Sequence, residues 1–366
     1  MKLGLFLGGV GHHVAAWRDP AVDALGDQSF SHYAEIARIA ERGRFDFLFT
    51  ADTAATFGPD DVNDWSRTTA ASRLEPLTLL AALAVVTERI GLVSTATTTY
   101  TEPFHVARFF ASLDQISGGR SGWNVVTSAA PAEAFNFSHD AHPAHADRYD
   151  RAAEFVQVVL GLWDSWEDDA VVADKASGMY FDPAKFHFLN HKGKHFSVRG
   201  PLTVRRSPQG RPVIVEAGQS DTGREFAAET AEVIFTVQVD LDEARAFYDD
   251  VKQRALKYGR SPDEIKIMPG VLPVIGRTKQ EAEDKYERLQ SLIHPDIGVP
   301  RLSAFVGMDL SAYPLDGPLP DVPLTNAQQG RQKVIVDLAR RENLTIRQLY
   351  MRVAGARGHR TICGTA

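Results

Sequence analysis

The sequence predicts an α/β fold in which βα units build a parallel sheet, the pattern of a (β/α)8 barrel. Short apolar runs alternate with amphipathic helical segments along most of the chain, and such alternation implies parallel βαβ units. Several of the runs are apolar throughout rather than at every second residue, which is typical of strands buried on both faces. With 366 residues and 44% hydrophobic side chains, the chain is long enough for one barrel domain with insertions.

The elements follow from hydrophobic periodicity and from residues that start or stop helices. The predicted strands are residues 2–8, 45–51, 90–97, 121–127, 212–217, 232–238 and 265–275. The predicted helices are residues 29–42, 76–87, 101–116, 146–163, 221–230 and 240–259, and a further helix that opens at Thr278. Two of these helices begin with a capping-box pattern, Asp240 with Glu243 and Thr278 with Glu281.

Three stretches interrupt the alternation within a single domain that spans residues 1–366. They are a polar loop at 53–74, an insertion at 164–210 and a segment at 293–326 that contains six prolines. The prolines predict an extended loop for the third stretch, and long loops in compact domains usually act as lids or binding loops.

The predicted barrel is one βα unit short. Seven strands are recognisable, and a closed barrel of this kind needs an eighth. We therefore expect that the sheet is open or that the last βα unit is missing from this chain. Further residues beyond Ala366 are the expected explanation, and the intact mass of the natural gene product would test it.

Composition excludes several classes of protein. The formal net charge of −7 argues against binding to nucleic acid or to an anionic membrane. Cys363 is the only cysteine, so an intrachain disulfide and a cysteine metal cluster are excluded. The longest uncharged apolar run, residues 77–86, has about ten residues and is too short to span a membrane. The apolar N-terminus is too short for a signal peptide, and the predicted location is the cytoplasm.

Two adjacent histidines follow the first predicted strand. The preceding residues, 8–11, read Gly-Gly-Val-Gly, but Val14 stands where a dinucleotide fingerprint needs its third glycine. His12 and His13 lie where a strand meets its loop, the place where barrel enzymes keep catalytic groups. They are candidate catalytic residues, with solvent exposure of one of them as the alternative.

Three further histidines, His139, His142 and His145, invite a metal interpretation. Pro143 interrupts any helix there, so the three rings are not held on one face and a metal site is disfavoured. His145 and Tyr149 are one turn apart at the start of a predicted helix, where they would bind an anion. The alternative is a capping histidine beside a packed tyrosine.

A second anion site is predicted where the strand at 212–217 runs directly into a helix. Gly218 permits close backbone approach, Ser220 stands at the helix cap, and the first helical amides are free to bind phosphate. Asp221 counts mildly against an anion there. Many βα turns of this form bind nothing, so the signal is moderate.

Polar residues also mark other strand ends. Asn124 lies inside a predicted buried strand, where its amide must be hydrogen-bonded to protein or ligand. Asp52, Thr98 and Thr127 stand at the carboxyl tips of three strands. No nucleophile, P-loop or catalytic triad stands out, so these groups suit the binding of a cofactor that carries the chemistry.

At this point the sequence resembles a known family. Residues 117–128, Ser-Gly-Gly-Arg-Ser-Gly-Trp-Asn-Val-Val-Thr-Ser, are similar to the signature of the nitrilotriacetate and dibenzothiophene-sulfone monooxygenase group within the bacterial-luciferase-like superfamily of flavin-dependent monooxygenases. The other matching stretches are residues 11–13, 16–18, 74–77, 102–108, 148–151, 199–202, 208–213 and 358–361. The resemblance covers essentially the whole chain.

The resemblance implies a TIM-type barrel that binds reduced FMN (FMNH2) from a separate NAD(P)H:flavin reductase and uses O2 to oxygenate a small organic substrate. The flavin contacts of the family, carried over to the matching positions of this sequence, are Asp52, Thr98, His145, Tyr149 and Ser220. Additional contacts are expected at Asn124, Thr127 and Gly218. The phosphate would lie between Tyr149 and the turn at 218–223. A homo-oligomer, dimer or tetramer, is expected.

The resemblance leaves the substrate open, because the family acts on aminopolycarboxylates, sulfones, thioethers and alkanes. The substrate is expected over the flavin, between the segments 53–74 and 293–326, with His12 and His13 on the wall. Members of the family continue after the Gly364-Thr365 pair, whereas one residue follows it here. Two alternatives remain, a flavin- or deazaflavin-dependent oxidoreductase of the same superfamily and a non-catalytic flavin-binding protein.

Overall fold

Seven parallel strands form one continuous sheet in the computed structural model, which describes residues 1–55, 66–238, 240–326, 329–356 and 359–365. The strands are β1 (Gly4–Phe6), β2 (Phe47–Thr50), β3 (Gly91–Thr97), β4 (Ser121–Val126), β5 (Val213–Glu216), β6 (Val233–Thr236) and β7 (Lys266–Pro269). Their order in the sheet is their order in the chain, and every neighbouring pair is parallel. The sheet curls into a barrel that is nearly closed, with β1 and β7 at its edges.

Helices follow the strands as the sequence predicts. They are α1 (Phe30–Arg42), α2 (Pro76–Ala84), α3 (Pro103–Ser117), α4 (His145–Trp163), α5 (Asp221–Thr230), α6 (Leu241–Lys257) and α7 (Lys279–Ser291). Short helices occur at Glu133–Asn136 and, as single 3₁₀ turns, at Ala16–Arg18, Gly26–Gln28, Thr69–Ala71, Pro183–Lys185 and Pro262–Glu264. No helix in the described part of the chain is long and apolar enough to cross a membrane.

Local sequence explains where α3 begins and ends. Pro103 occupies its first turn, where a missing N–H costs nothing. Gly118 ends it with a left-handed φ of 70°. The face toward β4 is apolar, and Phe110 is fully buried there against Trp123. Burial of this stripe, more than intrinsic propensity, holds the helix on the sheet.

The inside of the barrel is aromatic at β1, β2 and β6. Phe6, Phe49 and Phe235 form a triangle with ring centroids 5.1 to 6.0 Å apart. Because β6 lies near the opposite edge of the sheet from β1 and β2, the contact shows how far the sheet has curled. The rings close the bottom of the space that opens at the carboxyl ends of the strands.

The prediction of one long strand at 265–275 is wrong. Gly270 divides it into β7 and a further strand, β8 (Val271–Gly276), which pairs with a C-terminal strand, β9 (Arg360–Thr365). A Cβ at Gly270 would lie 2.6 Å from His359 Nδ1, so only glycine permits the chain to pass there. The sequence analysis also missed β9, which is outside the seven-stranded sheet and does not fill the place between β1 and β7.

The prediction of an extended loop at 293–326 is also wrong in part. Residues Pro295–Val306 form α8, with Pro295 at its first position and Pro300 inside it. The helix survives the lost hydrogen bond because its apolar face is buried, including Leu302 and Val306 at 0% exposure. It packs with two more helices, α9 (Gln329–Arg341) and α10 (Ile346–Ala356).

The rest of that segment is anchored rather than free. Leu310 is fully buried in the same cluster as α8, and Pro318 makes a β-bridge to Thr345. Residues 308–320 therefore contribute to a packed core and do not form a free loop.

The two other interrupting stretches differ from each other. Residues 164–210 contain two small antiparallel hairpins, Val171–Asp174 with Met179–Phe181 and His191–Lys192 with Ser197–Val198. The predicted loop at 53–74 lies partly outside the described residues, at 56–65. The motif residue Gly358 and the terminal Ala366 lie outside them as well.

Glu154 joins α4 to the second hairpin and yields a prediction about pH. Its carboxylate accepts the N–H groups of His195 and Phe196 at 2.9 Å and contacts the His191 ring. Burial opposes ionisation, but these hydrogen bonds outweigh it and lower the pKa of Glu154 to about 2. We expect Glu154→Gln to lower the free energy of unfolding at pH 7 by about 2 kcal/mol.

The sign follows from the lowered pKa. The stabilisation is complete above the unfolded-state pKa of 4.5 and disappears as the pH falls toward 2. Urea titrations at several pH values should therefore show the wild type and the variant converging below pH 4.5. Glu35→Gln, at an exposed residue of α1, is the control, and an equal difference at every pH would contradict the prediction.

Candidate active site

A cavity of about 400 Å³ opens at the carboxyl ends of the barrel strands. Active sites of barrel enzymes occupy this end, and pockets for small ligands run from ~300 to 1,000 Å³. Eight of the ten side chains and glycines predicted from the sequence line it: His12, Asp52, Asn124, Thr127, His145, Tyr149, Gly218 and Ser220. Parallel strands bring their carboxyl ends together, which explains why residues far apart in the chain meet here.

His13 and Thr98 lie behind the cavity wall. The His13 ring is 5% exposed, lies 2.9 Å from the side-chain oxygen of Gln290 and accepts the Ala15 N–H. The Thr98 hydroxyl donates to the Val126 carbonyl at 3.2 Å. Both side chains hold backbone in place, so His13 and Thr98 would influence a ligand through their neighbours.

One side of the cavity is a tight turn between β5 and α5. Ser220 caps α5, and its hydroxyl accepts the Gly223 N–H at 3.1 Å. Gly218 and Gly223 face each other so closely that a Cβ on Gly218 would lie 2.9 Å from the Gly223 Cα. The turn therefore presents backbone N–H groups at a helix N-terminus without side chains in the way, which suits an anion.

His145, Arg148 and Tyr149, at the start of α4, face this turn. The Tyr149 hydroxyl lies 2.9 Å from where a Gly223 Cβ would be. Burial raises the pKa of Tyr149, against the effect of the neighbouring Ser220 and Thr127 hydroxyls, so Tyr149 stays a neutral donor. Burial, and then Arg148, lowers the pKa of His145, whose ring packs 4.8 Å from that of Tyr149.

Arg148 is a site residue that the sequence analysis did not select. It is 2% exposed and donates to the carbonyls of Pro143 and Asn326. Its Nε has no hydrogen-bond partner among the described residues. A buried cation that lines the same cavity would favour an anion there. The available signal was its position one residue before Tyr149 in a matching stretch.

The floor of the cavity carries an amide whose oxygen is unsatisfied. Asn124 is 2% exposed, and its Nδ2 donates to the Thr95 hydroxyl at 2.8 Å. Within the described residues, its Oδ1 has no partner. Because buried polar atoms are nearly always hydrogen-bonded, this oxygen suits a ligand that brings an N–H group.

Three carboxyl groups line the cavity, and they differ in burial and in protein contacts. Burial raises the pKa of Glu216 to about 8, with Thr230 donating to it. Burial also raises the pKa of Asp52. Glu133 accepts hydroxyl groups from Ser128 at 2.8 Å and Thr53 at 3.1 Å.

His12 lines the opposite wall, beside the C-terminal segment. Its ring centroid lies 5.0 Å from that of His359 and 5.2 Å from that of Phe6.

The histidines considered as metal ligands do not converge. His142 lies 2.7 Å from the Tyr100 hydroxyl and its pKa is lowered to about 4 by burial. Among the described residues, no group of three metal-ligating side chains comes together.

A comparison with known families decides the affiliation. The model of the luciferase-like monooxygenases matches residues 1–346. The chain belongs to this family of enzymes. Among curated relatives, N-acetyl-S-(2-succino)cysteine monooxygenase of Bacillus subtilis (strain 168) is 52% identical, and nitrilotriacetate monooxygenase component A of Aminobacter aminovorans is 54% identical. Both alignments cover 100% of this chain and 82% of the relative.

Other luciferase-like relatives agree. Dibenzothiophene-sulfone monooxygenase of Rhodococcus erythropolis is 47% identical over 86% of this chain and 70% of its own. Among solved structures, a long-chain alkane monooxygenase superposes with a TM-score of 0.87 at 33% identity, covering 100% of this chain and 81% of that one. A riboflavin lyase, solved with modified FMN and riboflavin, superposes with a TM-score of 0.86 at 33% identity. That alignment also covers 100% of this chain and 81% of the other. These likenesses confirm the predicted family and TIM-type barrel, and the enzyme is a monooxygenase.

Proposed function

We propose that this monooxygenase is the oxygenase component of a two-component system and works with reduced FMN. The observation that carries the proposal is the corner formed by Tyr149, Ser220 and the Gly218–Gly223 contact. It combines backbone N–H groups, two hydroxyls and a buried guanidinium, the donors that a phosphate monoester needs. The likeness to the riboflavin lyase solved with modified FMN supports a flavin here.

The remaining wall also fits a flavin. The unsatisfied Asn124 oxygen would accept an N–H of the ring system, and the aromatic floor of Phe6, Phe49 and Phe235 offers apolar contact. Bound reduced FMN would supply the electrons that activate dioxygen. The protein would bind and orient the flavin, and α8, whose residues line part of the cavity, would limit access of water.

The source of reduced flavin would be a separate NAD(P)H:flavin reductase. One relative is named as component A of its monooxygenase, which supports a second component here. The relatives act on chemically different compounds, so the proposed reaction is oxygenation of a small organic molecule. His12 is the proposed catalytic residue, since it lies on the wall of the cavity away from the phosphate corner.

Titration with FMN tests the proposed cofactor site. Tyr149→Phe and Ser220→Ala should each weaken binding by about 1–2 kcal/mol, because each removes one hydrogen-bonding hydroxyl. Flavin fluorescence is the measurement, and Tyr248→Phe, at an exposed tyrosine, is the control. Unchanged affinity in both site variants would place the phosphate elsewhere.

Product formation tests the reaction. With FMN, NADH, oxygen and an added flavin reductase, the enzyme should convert a substrate into its oxygenated product, whereas the same mixture without the enzyme should yield only peroxide from free reduced FMN. Hydride transfer without oxygen would favour an oxidoreductase of the same superfamily. Flavin binding without any turnover would favour a non-catalytic protein.

A further inference from the structure

Three arginines line the cavity on the side where α8 and α9 lie. Arg301 comes from α8, Arg331 from α9, and Arg73 from the segment that precedes α2. We call them the arginine group. The chain as a whole has a formal net charge of −7, so this concentration of positive charge is a local property of the cavity.

The side chains of Arg301 and Arg331 converge on one aromatic ring. Their guanidinium carbons lie 5.8 Å and 4.9 Å from the centroid of the Phe305 ring. The positive charge of Arg331 disfavours that of Arg301, and contact with the ring offsets only part of that cost. An anion bound beside these cations would offset the remainder.

Arg301 is the member that most needs an anion. Its Nε is buried, and no described residue accepts a hydrogen bond from it. Burial and the neighbouring Arg331 and Arg73 lower its pKa to about 10, which still leaves the group charged at neutral pH. A buried charge without a partner is costly.

Two of the three carboxyl groups of the cavity do not satisfy this need. Glu216 is held protonated at neutral pH by its burial and is bonded to Thr230. Glu133 is committed to Ser128 and Thr53. None of the ion pairs found among the described residues includes Arg301.

We propose that the arginine group binds carboxylates of the substrate, and that the substrate carries at least two of them. Guanidinium groups bind carboxylates through paired, charge-assisted hydrogen bonds, and several cations at separate positions select an ion with several carboxylates. This inference rests on the proposed function, because it assigns the substrate class to the same cavity. It sets the enzyme apart from relatives that oxidise uncharged sulfones or alkanes.

The arginine group and the phosphate corner meet near Gly330, beside Arg331. Gly330 packs against the turn so closely that a Cβ on Gly330 would lie 3.1 Å from the Ser220 backbone N. The adjacent Arg331 therefore lies close to both the phosphate corner and the arginine group. Arg301 and Arg73 carry the proposal, and the test centres on Arg301.

The test is calorimetric titration of the FMN-loaded enzyme. The probes are nitrilotriacetate and propane-1,2,3-tricarboxylate, each compared with its methyl ester. The acids should bind the wild type and the esters should not. Arg301→Gln should weaken binding of the acids by about tenfold to a hundredfold, since a hydrogen-bonded charge is lost, while the FMN affinity stays within about twofold.

Two further variants guard the interpretation. Arg301→Lys retains the charge and should bind the acids with intermediate affinity. Arg340 lies on the same helix as Arg331 but is exposed and pairs with Asp321. The Arg340→Gln variant should therefore bind the acids as the wild type does. If Arg301→Gln does not fold, the lysine variant and the comparison of acid with ester on the wild type decide the matter.

Several outcomes would overturn the proposal. They are equal binding of acid and ester, no saturable binding of either acid by the wild type, and an Arg301→Gln variant that loses FMN affinity while keeping affinity for the acids. These results are distinct from failure of the proposed function, which would appear as a wild type that does not bind FMN at all.

Discussion

Replacing Trp123 with alanine is expected to lower the free energy of unfolding by about 3–5 kcal/mol. Trp123 is fully buried in β4, between the barrel and the helices α3 and α4. Its ring contacts Phe110, Phe155 and Trp163 at centroid distances of 6.0, 5.8 and 6.3 Å. Its indole N–H donates to the Ala96 carbonyl at 3.0 Å, so truncation removes packing and also takes this donor from a partly buried carbonyl.

Equilibrium unfolding in urea is the measurement. Trp123→Phe keeps most of the ring and should cost less than the alanine variant, because a smaller cavity remains. Phe109→Ala, at a side chain that is 49% exposed on α3, is the control for loss of an aromatic residue and should change stability little. Equal effects for Trp123→Ala and Phe109→Ala would refute the assignment of Trp123 to the centre of this core.

Replacing Gly218 with alanine is expected to weaken FMN binding by about 3 kcal/mol or more, over a hundredfold. The added Cβ would lie 2.9 Å from the Gly223 Cα and 3.1 Å from its carbonyl carbon. Backbone cannot yield as the end of a flexible side chain can, so the turn must open. Opening it moves the Ser220 cap and the N–H groups of α5 that bind the proposed phosphate.

The control for this variant is Gly364→Ala, because a Cβ there meets no atom within 4 Å. Both variants should be compared for FMN affinity and for thermal unfolding. Wild-type affinity in a folded Gly218→Ala protein would show that the turn does not hold the phosphate. A general loss of stability would instead appear in both measurements.

The sequence could place at one end of the barrel the candidate residues that follow strands directly, whereas their roles stay predictions. Asp52, Asn124 and Gly218 could be assigned to one end of the barrel, because the direction of parallel strands determines where their carboxyl ends meet. The sequence did not separate His12 from His13, although one lines the cavity and the other is bonded to Gln290. The two residues are adjacent, and only the path of the chain decides which one faces inward.

The arginine group was not predicted at all. Six prolines between 293 and 326 suggested a loop, so the helical spacing of Ile297, Arg301 and Phe305 was given no weight. That i, i+4, i+8 spacing was the available signal. Even with α8 recognised, the sequence would not have indicated that α9 brings Arg331 to the same Phe305 ring, since the pairing of helices depends on contacts distant in sequence.

What the sequence by itself determined is the order and type of the βα units, the barrel class and the strand ends that carry the site, because these depend on local periodicity and on the handedness of βαβ connections. The tertiary structure alone decided the rest. It divided the seventh predicted strand at Gly270, paired β8 with β9, and turned a proline-rich segment into a cavity-lining helix. Each of these depends on burial against residues tens of positions away, and such contacts override local preference wherever they remove enough apolar surface from water.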